Sequence, residues 1–96
     1  MSLVANFIRK NTEPQRIIFF GSILTDNFDL ASDIDLVIIY PTFKIADEAR
    51  RTLYSLKQPQ ILHPLEMLCV DEGTFQQKSQ IGGLYFLVSK DGLTFY

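Results

Sequence analysis

One cysteine, one histidine, no surplus of basic charge and no apolar run of membrane length set the first limits on this chain. Cys69 alone cannot close an intrachain disulfide, which excludes a disulfide-stapled scaffold and fits a reducing compartment. It lies in "LEMLCV", where a thiol among aliphatic side chains reads as a small core residue and not as a nucleophile. The longest apolar runs, "IIFFG" and "LVIIY", fall far short of the roughly twenty residues of a membrane span. No signal-like apolar segment opens the chain, so the expected location is the cytoplasm. Nine Lys and Arg against eleven Asp and Glu give a formal charge of −2, so a polynucleotide would need a local basic patch or a metal bridge.

What is present is an ordinary globular composition, 47% hydrophobic and 21% charged, in 96 residues. That length suits one domain with one core, expected to span residues 1–96. "LVANFIRK" carries Leu3, Val4, Phe7 and Ile8 at helical spacing, and "RIIFFG" reads as a buried strand closed by Gly21. "SILTDNFDLAS" reads as a connection with room for one helical turn started by Ser22. "DIDLVIIY", residues 33–40, is a strand stopped by Pro41. Residues 42–56 form an amphipathic helix with Ala46, Ala49, Leu53 and Leu56 on one face.

After the break at "QPQ", residues 61–70 read as a third strand in which Pro64 marks an edge or a bulge. Asp71 can cap a helix over "EGTFQQKSQ". Residues 84–90 read as helix before a short strand at 93–96, with a hairpin across "KDG" as the alternative. The alternation of helices and strands predicts an α/β or α+β domain, with one small mixed β-sheet flanked by helices. Phe7, Phe19, Phe20, Tyr54, Phe75, Phe86 and Phe95 read as core, while Tyr85 and Tyr96 are open to a base pocket or an interface.

The chemistry concentrates in "FGSILTDNFDLASDIDLV". On a strand, alternate residues share a face, so Asp33 and Asp35 point the same way, with Val37 and Ile39 following on that side. Two carboxylates this close repel, and a divalent cation offsets that repulsion. All-oxygen ligation favours Mg²⁺ or Mn²⁺ over zinc. An Asp-x-Asp taken alone is short and common, and reads as a loop cap followed by a solvated strand end.

Glu66 changes that weighting. It is the one charged residue in "LHPLEMLCV", and if strands two and three are neighbours it completes a three-carboxylate cluster. The alternative is an edge strand whose outward face happens to hold it. Gly21, ending a buried strand, would let a ligand approach the backbone, and the Ser22 hydroxyl with the amides after it could bond phosphate oxygens. His63 stands near these acids and reads as structural or surface. Arg50 and Arg51 read as solvated.

Gly21-Ser22, ten intervening residues and then Asp33-Ile34-Asp35 are similar to the signature of the DNA polymerase β-like nucleotidyltransferases. "FGS" and "SDIDLVI" resemble the minimal, antitoxin-like subgroup in particular, and "PLEMLCV" stands where that family has its third acidic strand. The resemblance implies metal-dependent transfer of a nucleoside monophosphate from an NTP, ATP first among candidates, to an acceptor not readable from the chain. By position it makes Asp33, Asp35 and Glu66 the catalytic and metal-binding residues for Mg²⁺ or Mn²⁺. Gly21 and Ser22 become the nucleotide-binding pair at the β- and γ-phosphates. It also implies a separate helical partner of the HEPN type; a homo-oligomer is left open, and the short apolar runs predict no membrane partner.

The subgroup often continues after its serine with Arg and Gly, where this chain has Ile23, Leu24 and Thr25, and its third acid is usually Asp. Residues 22–35 contain Asp26, Asp29, Asp33 and Asp35 and no Lys or Arg. The competing reading is therefore a catalytically inactive member of the fold acting as a binding or regulatory subunit. An Asp-x-Asp phosphatase of the haloacid dehalogenase type is excluded by context, because there the acids follow a strand and here they begin one.

Overall fold

The computed structural model describes residues 2–24, 32–57 and 64–95. In chain order they form α1 (Ser2–Asn11), β1 (Arg16–Phe20), a 3-10 turn (Gly21–Leu24), β2 (Ile34–Tyr40), α2 (Phe43–Ser55), β3 (Leu65–Asp71), α3 (Glu72–Ser79), α4 (Leu84–Asp91) and β4 (Leu93–Thr94). The sheet order is β3-β2-β1-β4; β2 and β3 run parallel, and β1 is antiparallel to both β2 and β4. The result is a mixed α+β sheet with helices on both faces, as the alternation of patterns predicts.

Strand periodicity divides the core into two layers. On one face Ile17, Phe19, Leu36, Ile38, Tyr40, Leu65 and Met67 pack against Val4, Ala5 and Ile8 of α1 and Ala46, Ala49 and Leu53 of α2. On the other, Ile18, Val37, Ile39 and Val70 pack against Phe75 of α3 and Val88 of α4. Both faces of β2 are covered, and so its apolar run is continuous and not alternating. Fully burying one such Leu or Ile contributes about 1.5–3 kcal/mol. The hydroxyl of the buried Tyr40 is satisfied by Thr12 Oγ1 at 2.7 Å, and burial pushes its pKa further above the ordinary phenol value.

Local signals place the helices. The Thr42 side chain caps α2 by accepting from the Ile45 N–H, and Asp71 caps α3 by accepting from the Thr74 N–H at 2.9 Å and from the Thr74 hydroxyl at 2.8 Å. Those two donors hold the Asp71 carboxyl below the usual carboxylate range. The helix over residues 84–91 is separate from α3, because Gly82 and Gly83 intervene with φ of 107° and 84°, a region that favours glycine. β4 pairs with β1, and Phe95 N–H donates to Ile17 C=O. The KDG hairpin alternative is thereby replaced.

Several sequence expectations need correction. Phe19 and Phe75 are buried and Phe7 and Phe20 partly so, but Tyr54, Phe86 and Phe95 are exposed. Tyr54 nonetheless has a structural task. Its hydroxyl accepts from the Met67 N–H at 2.9 Å and donates to the Met67 C=O at 3.1 Å, satisfying two backbone groups on the outer edge of β3. Leu56 lies past the end of α2 and is exposed. The third strand is described from Leu65 to Asp71, with Pro64 before it, and residues 58–63, including the "QPQ" break and His63, lie outside the described residues.

Candidate active site

The parallel β2–β3 ladder opens with the Ile34 N–H donating to the Pro64 C=O at 2.9 Å. It then sets Asp35 opposite Glu66 in register. Parallel neighbours in register share a face, so the Asp35 and Glu66 side chains stand side by side, on the face that holds Val37 and Ile39 further along β2. Asp33 precedes β2 and is exposed, Asp35 is partly buried and Glu66 is exposed. The acids thus line the rim of the sheet where the apolar layer ends.

β1 supplies the third side of the site. Phe20 pairs with Asp35 in the antiparallel ladder, and Gly21 follows at once with φ of 79°. A Cβ added at Gly21 would lie 2.8 Å from Asp35 Oδ2, closer than such contacts allow. Glycine here meets two demands together: the left-handed turn that leads out of β1 into the 3-10 segment, and a carboxylate lying directly against the backbone. Ser22 is the second residue of that turn. Asp26 and Asp29 lie outside the described residues.

Electrostatically the site is acidic among the described residues. The Asp35 carboxyl is raised above its ordinary value, first by desolvation and then by the charge of Asp33. Among the described residues the ion pairs belong to Asp47 with Arg50 and Arg51 on α2, and none involves Asp33, Asp35 or Glu66. A rim of oxygen donors whose own repulsion works against full ionisation is chemically suited to a hard divalent cation. Among the described residues, no three His, Cys, Asp or Glu side chains are arranged to hold a metal ion unaided. Mg²⁺ sites are commonly made from one or two carboxylates completed by substrate phosphates, so the donor set fits a site that the substrate finishes.

Cys69 faces the opposite, α1/α2 layer, where burial pushes its thiol up to about 11. It is no nucleophile for this site. Tyr85 packs edge-to-face on Phe75 with ring centroids 5.8 Å apart, which makes it part of the α3/α4 layer; Tyr96 lies outside the described residues. The sequence pattern marks residues 84–90 as helix but does not single out Leu84, Leu87 or Asp91. Beyond the Gly21 turn lies a cleft of about 540 Å³, walled by Phe20 and Leu24 on one side and by Leu84, Leu87 and Asp91 of α4 on the other. The i, i+3, i+7 spacing of those α4 residues was the available signal.

Among protein families, the nucleotidyltransferase domain matches residues 1–88. Neither the curated proteins nor the solved structures gave a match to the chain.

Proposed function

The chain belongs to the nucleotidyltransferase domain family, and on that premise we propose that it transfers a nucleoside monophosphate from an NTP, ATP first, to an acceptor hydroxyl with the help of Mg²⁺ or Mn²⁺. The observation that carries this reading is the Asp35–Glu66 register pair with Gly21 pressed against the Asp35 carboxylate. In the proposal Asp33 and Asp35 hold the divalent ions, and Glu66, on the outer strand, takes part in metal binding and receives the acceptor's proton. Gly21 and Ser22 receive the β- and γ-phosphates through the backbone N–H groups of the turn.

Bound divalent ions would supply charge neutralisation on the phosphates and a more acidic acceptor hydroxyl. The chain's own residues do the positioning. The acceptor oxygen, losing its proton to Glu66, forms a bond to the α-phosphorus as the α–β phosphoanhydride bond breaks and pyrophosphate leaves towards Gly21. Asp35, fixed by ladder hydrogen bonds on both sides of β2, keeps the reacting phosphorus between those two ends.

The same proposal includes a separate helical partner of the HEPN type, which this chain would neutralise as an antitoxin, or a second copy of the chain. Exposed Ile81, Phe86 and Phe95 support a protein contact on the α4/β4 side. A second reading is favoured by the absence of Lys and Arg from residues 22–35: an inactive member of the family serving as a binding or regulatory subunit.

Calorimetric titration of ATP and GTP with Mg²⁺ separates the two. Metal-dependent binding that disappears in Asp33→Asn/Asp35→Asn is the expected result. Absence of binding to the folded wild-type protein would favour the inactive reading.

A further inference from the structure

Tyr54 is half exposed, yet its hydroxyl makes two hydrogen bonds, and the residue it serves follows Glu66 in the chain. Resting on the nucleotidyl-transfer reading above, we infer that Tyr54 is a positioning residue: its hydroxyl clamps the outer edge of β3 at Met67 and so holds the Glu66 carboxylate beside Asp35.

The need for a clamp follows from the sheet order. Asp35 lies on β2, which is laddered to β1 on one side and to β3 on the other. Glu66 is the second residue of β3, the outermost strand, and among the described residues its ladder runs to β2 alone. Ends of edge strands open most easily. Packing adds little on the site face, because Glu66 and Leu68 are both exposed there. A strand held from one side fixes its carboxylate poorly, whereas Mg²⁺ demands near-ideal octahedral geometry.

Tyr54 supplies the missing side. It is carried by α2, where the preceding Leu53 is sealed in the core, so the ring starts from a fixed point. Its hydroxyl accepts from the Met67 N–H at 2.9 Å and donates to the Met67 C=O at 3.1 Å, the two groups that a further strand would have taken. The Met67 N–H and the Glu66 Cα belong to one planar peptide unit, so the first of these bonds fixes the plane from which the Glu66 side chain departs. Edge protection would serve any outer strand; here the clamp closes on the peptide of the one acid that strand brings to the site.

A double-mutant cycle separates positioning from plain stability. The Mg²⁺ complexes of ATP and GTP are titrated calorimetrically into wild type, Tyr54→Phe, Glu66→Gln and the double variant, each first shown by circular dichroism to be folded. Glu66→Gln should weaken the better-bound nucleotide while Asp33 and Asp35 keep binding measurable. Tyr54→Phe should weaken it at least about fivefold in the wild-type background and by less than about 1.5-fold once Glu66 is replaced, a coupling of the size found between touching groups. Equal weakening in both backgrounds would make Tyr54 a stabilising residue only and overturn the inference, as would unchanged binding in Tyr54→Phe. A Glu66→Gln variant that binds as wild type also overturns it and leaves the Asp33 and Asp35 site standing. A folded wild type that binds neither nucleotide removes the nucleotidyl-transfer reading itself, and this inference with it.

If Tyr54→Phe does not fold, or Glu66→Gln binds too weakly to measure, hydrogen exchange on the wild type decides. Coupling is reciprocal, so a nucleotide complex that needs Glu66 in place must favour the closed clamp. The saturating Mg²⁺ complex should slow exchange at the Met67 amide at least about threefold and leave the Phe95 amide, bonded to the Ile17 C=O at the opposite edge of the sheet, within about 1.5-fold. The same slowing at both amides, or none at Met67, would overturn the inference.

Discussion

Replacing Gly21 by alanine tests the contact on which the site is built. The substitution carries two separable costs. Its φ of 79° belongs to the left-handed region, where an L side chain costs about 1–2 kcal/mol. The new Cβ would also stand 2.8 Å from Asp35 Oδ2, while Cβ and Cγ of Asp35 lie at an ordinary 3.6 Å. Only the carboxylate oxygen must move, and it sits at the end of a short side chain free to rotate towards the rim.

The conformational cost should therefore make up most of the stability loss, and the steric cost should add a smaller, measurable part to it as well as disturbing the site. For a domain of this size about 1 kcal/mol shifts Tm by about 4–8 °C, so Gly21→Ala should melt about 4–16 °C below wild type. Mg²⁺-dependent ATP binding should fall further than any stability effect explains. A double-mutant cycle followed by circular dichroism makes the attribution: in an Asp35→Ala background the carboxylate oxygen is gone, and Gly21→Ala should cost only its backbone part. Equal cost in both backgrounds would refute the claim that Asp35 presses on Gly21. A Gly21→Ala variant as stable as wild type would refute the strain argument altogether.

Other consequences follow from the charges and the edge strand. Asp35 titrates above its ordinary 3.8, so the folded state holds this proton more tightly than the unfolded chain; stability falls as pH rises from 3.8 through the raised value and stays lower above it. Asp35→Asn should therefore melt modestly higher than wild type at pH 7 and equally near pH 3, even as metal-dependent binding is lost; a lower melting point at pH 7 would contradict this. Tyr54→Phe removes the group that serves both Met67 backbone atoms. It should cost about 1–2 kcal/mol and speed hydrogen exchange at the Met67 amide, while unchanged exchange would show that water replaces the hydroxyl without loss.

Much of this architecture is legible in the chain because its signals are local. Period-two spacing puts Asp35 on the face of Val37 and Ile39, an unbroken apolar run marks β2 as covered on both sides, and Thr42 and Asp71 announce helix starts through bonds made within three residues. The spacing of Gly21-Ser22 to the acids pointed to the family for the same reason, since a strand, a turn and a strand end lie within twenty residues of sequence.

Burial of the outer aromatics was not legible. Phe19 and Phe86 carry the same side chain, yet one is sealed between layers and the other exposed, and that depends on which neighbours the sheet order brings near. Nor could the chain alone distinguish Glu66 as a site acid from Glu66 as a solvated edge residue. Parallel pairing across the α2 crossover sets Glu66, exposed on the outer strand, beside Asp35, where a slip of one residue would turn it to the opposite face. The sequence by itself determined which segments are strands and helices, because those follow from spacing along the backbone. Tertiary structure alone decided that Glu66 faces Asp35, that Gly21 touches its carboxylate and that α4 walls a cleft beside them, because each joins residues that only packing brings into contact.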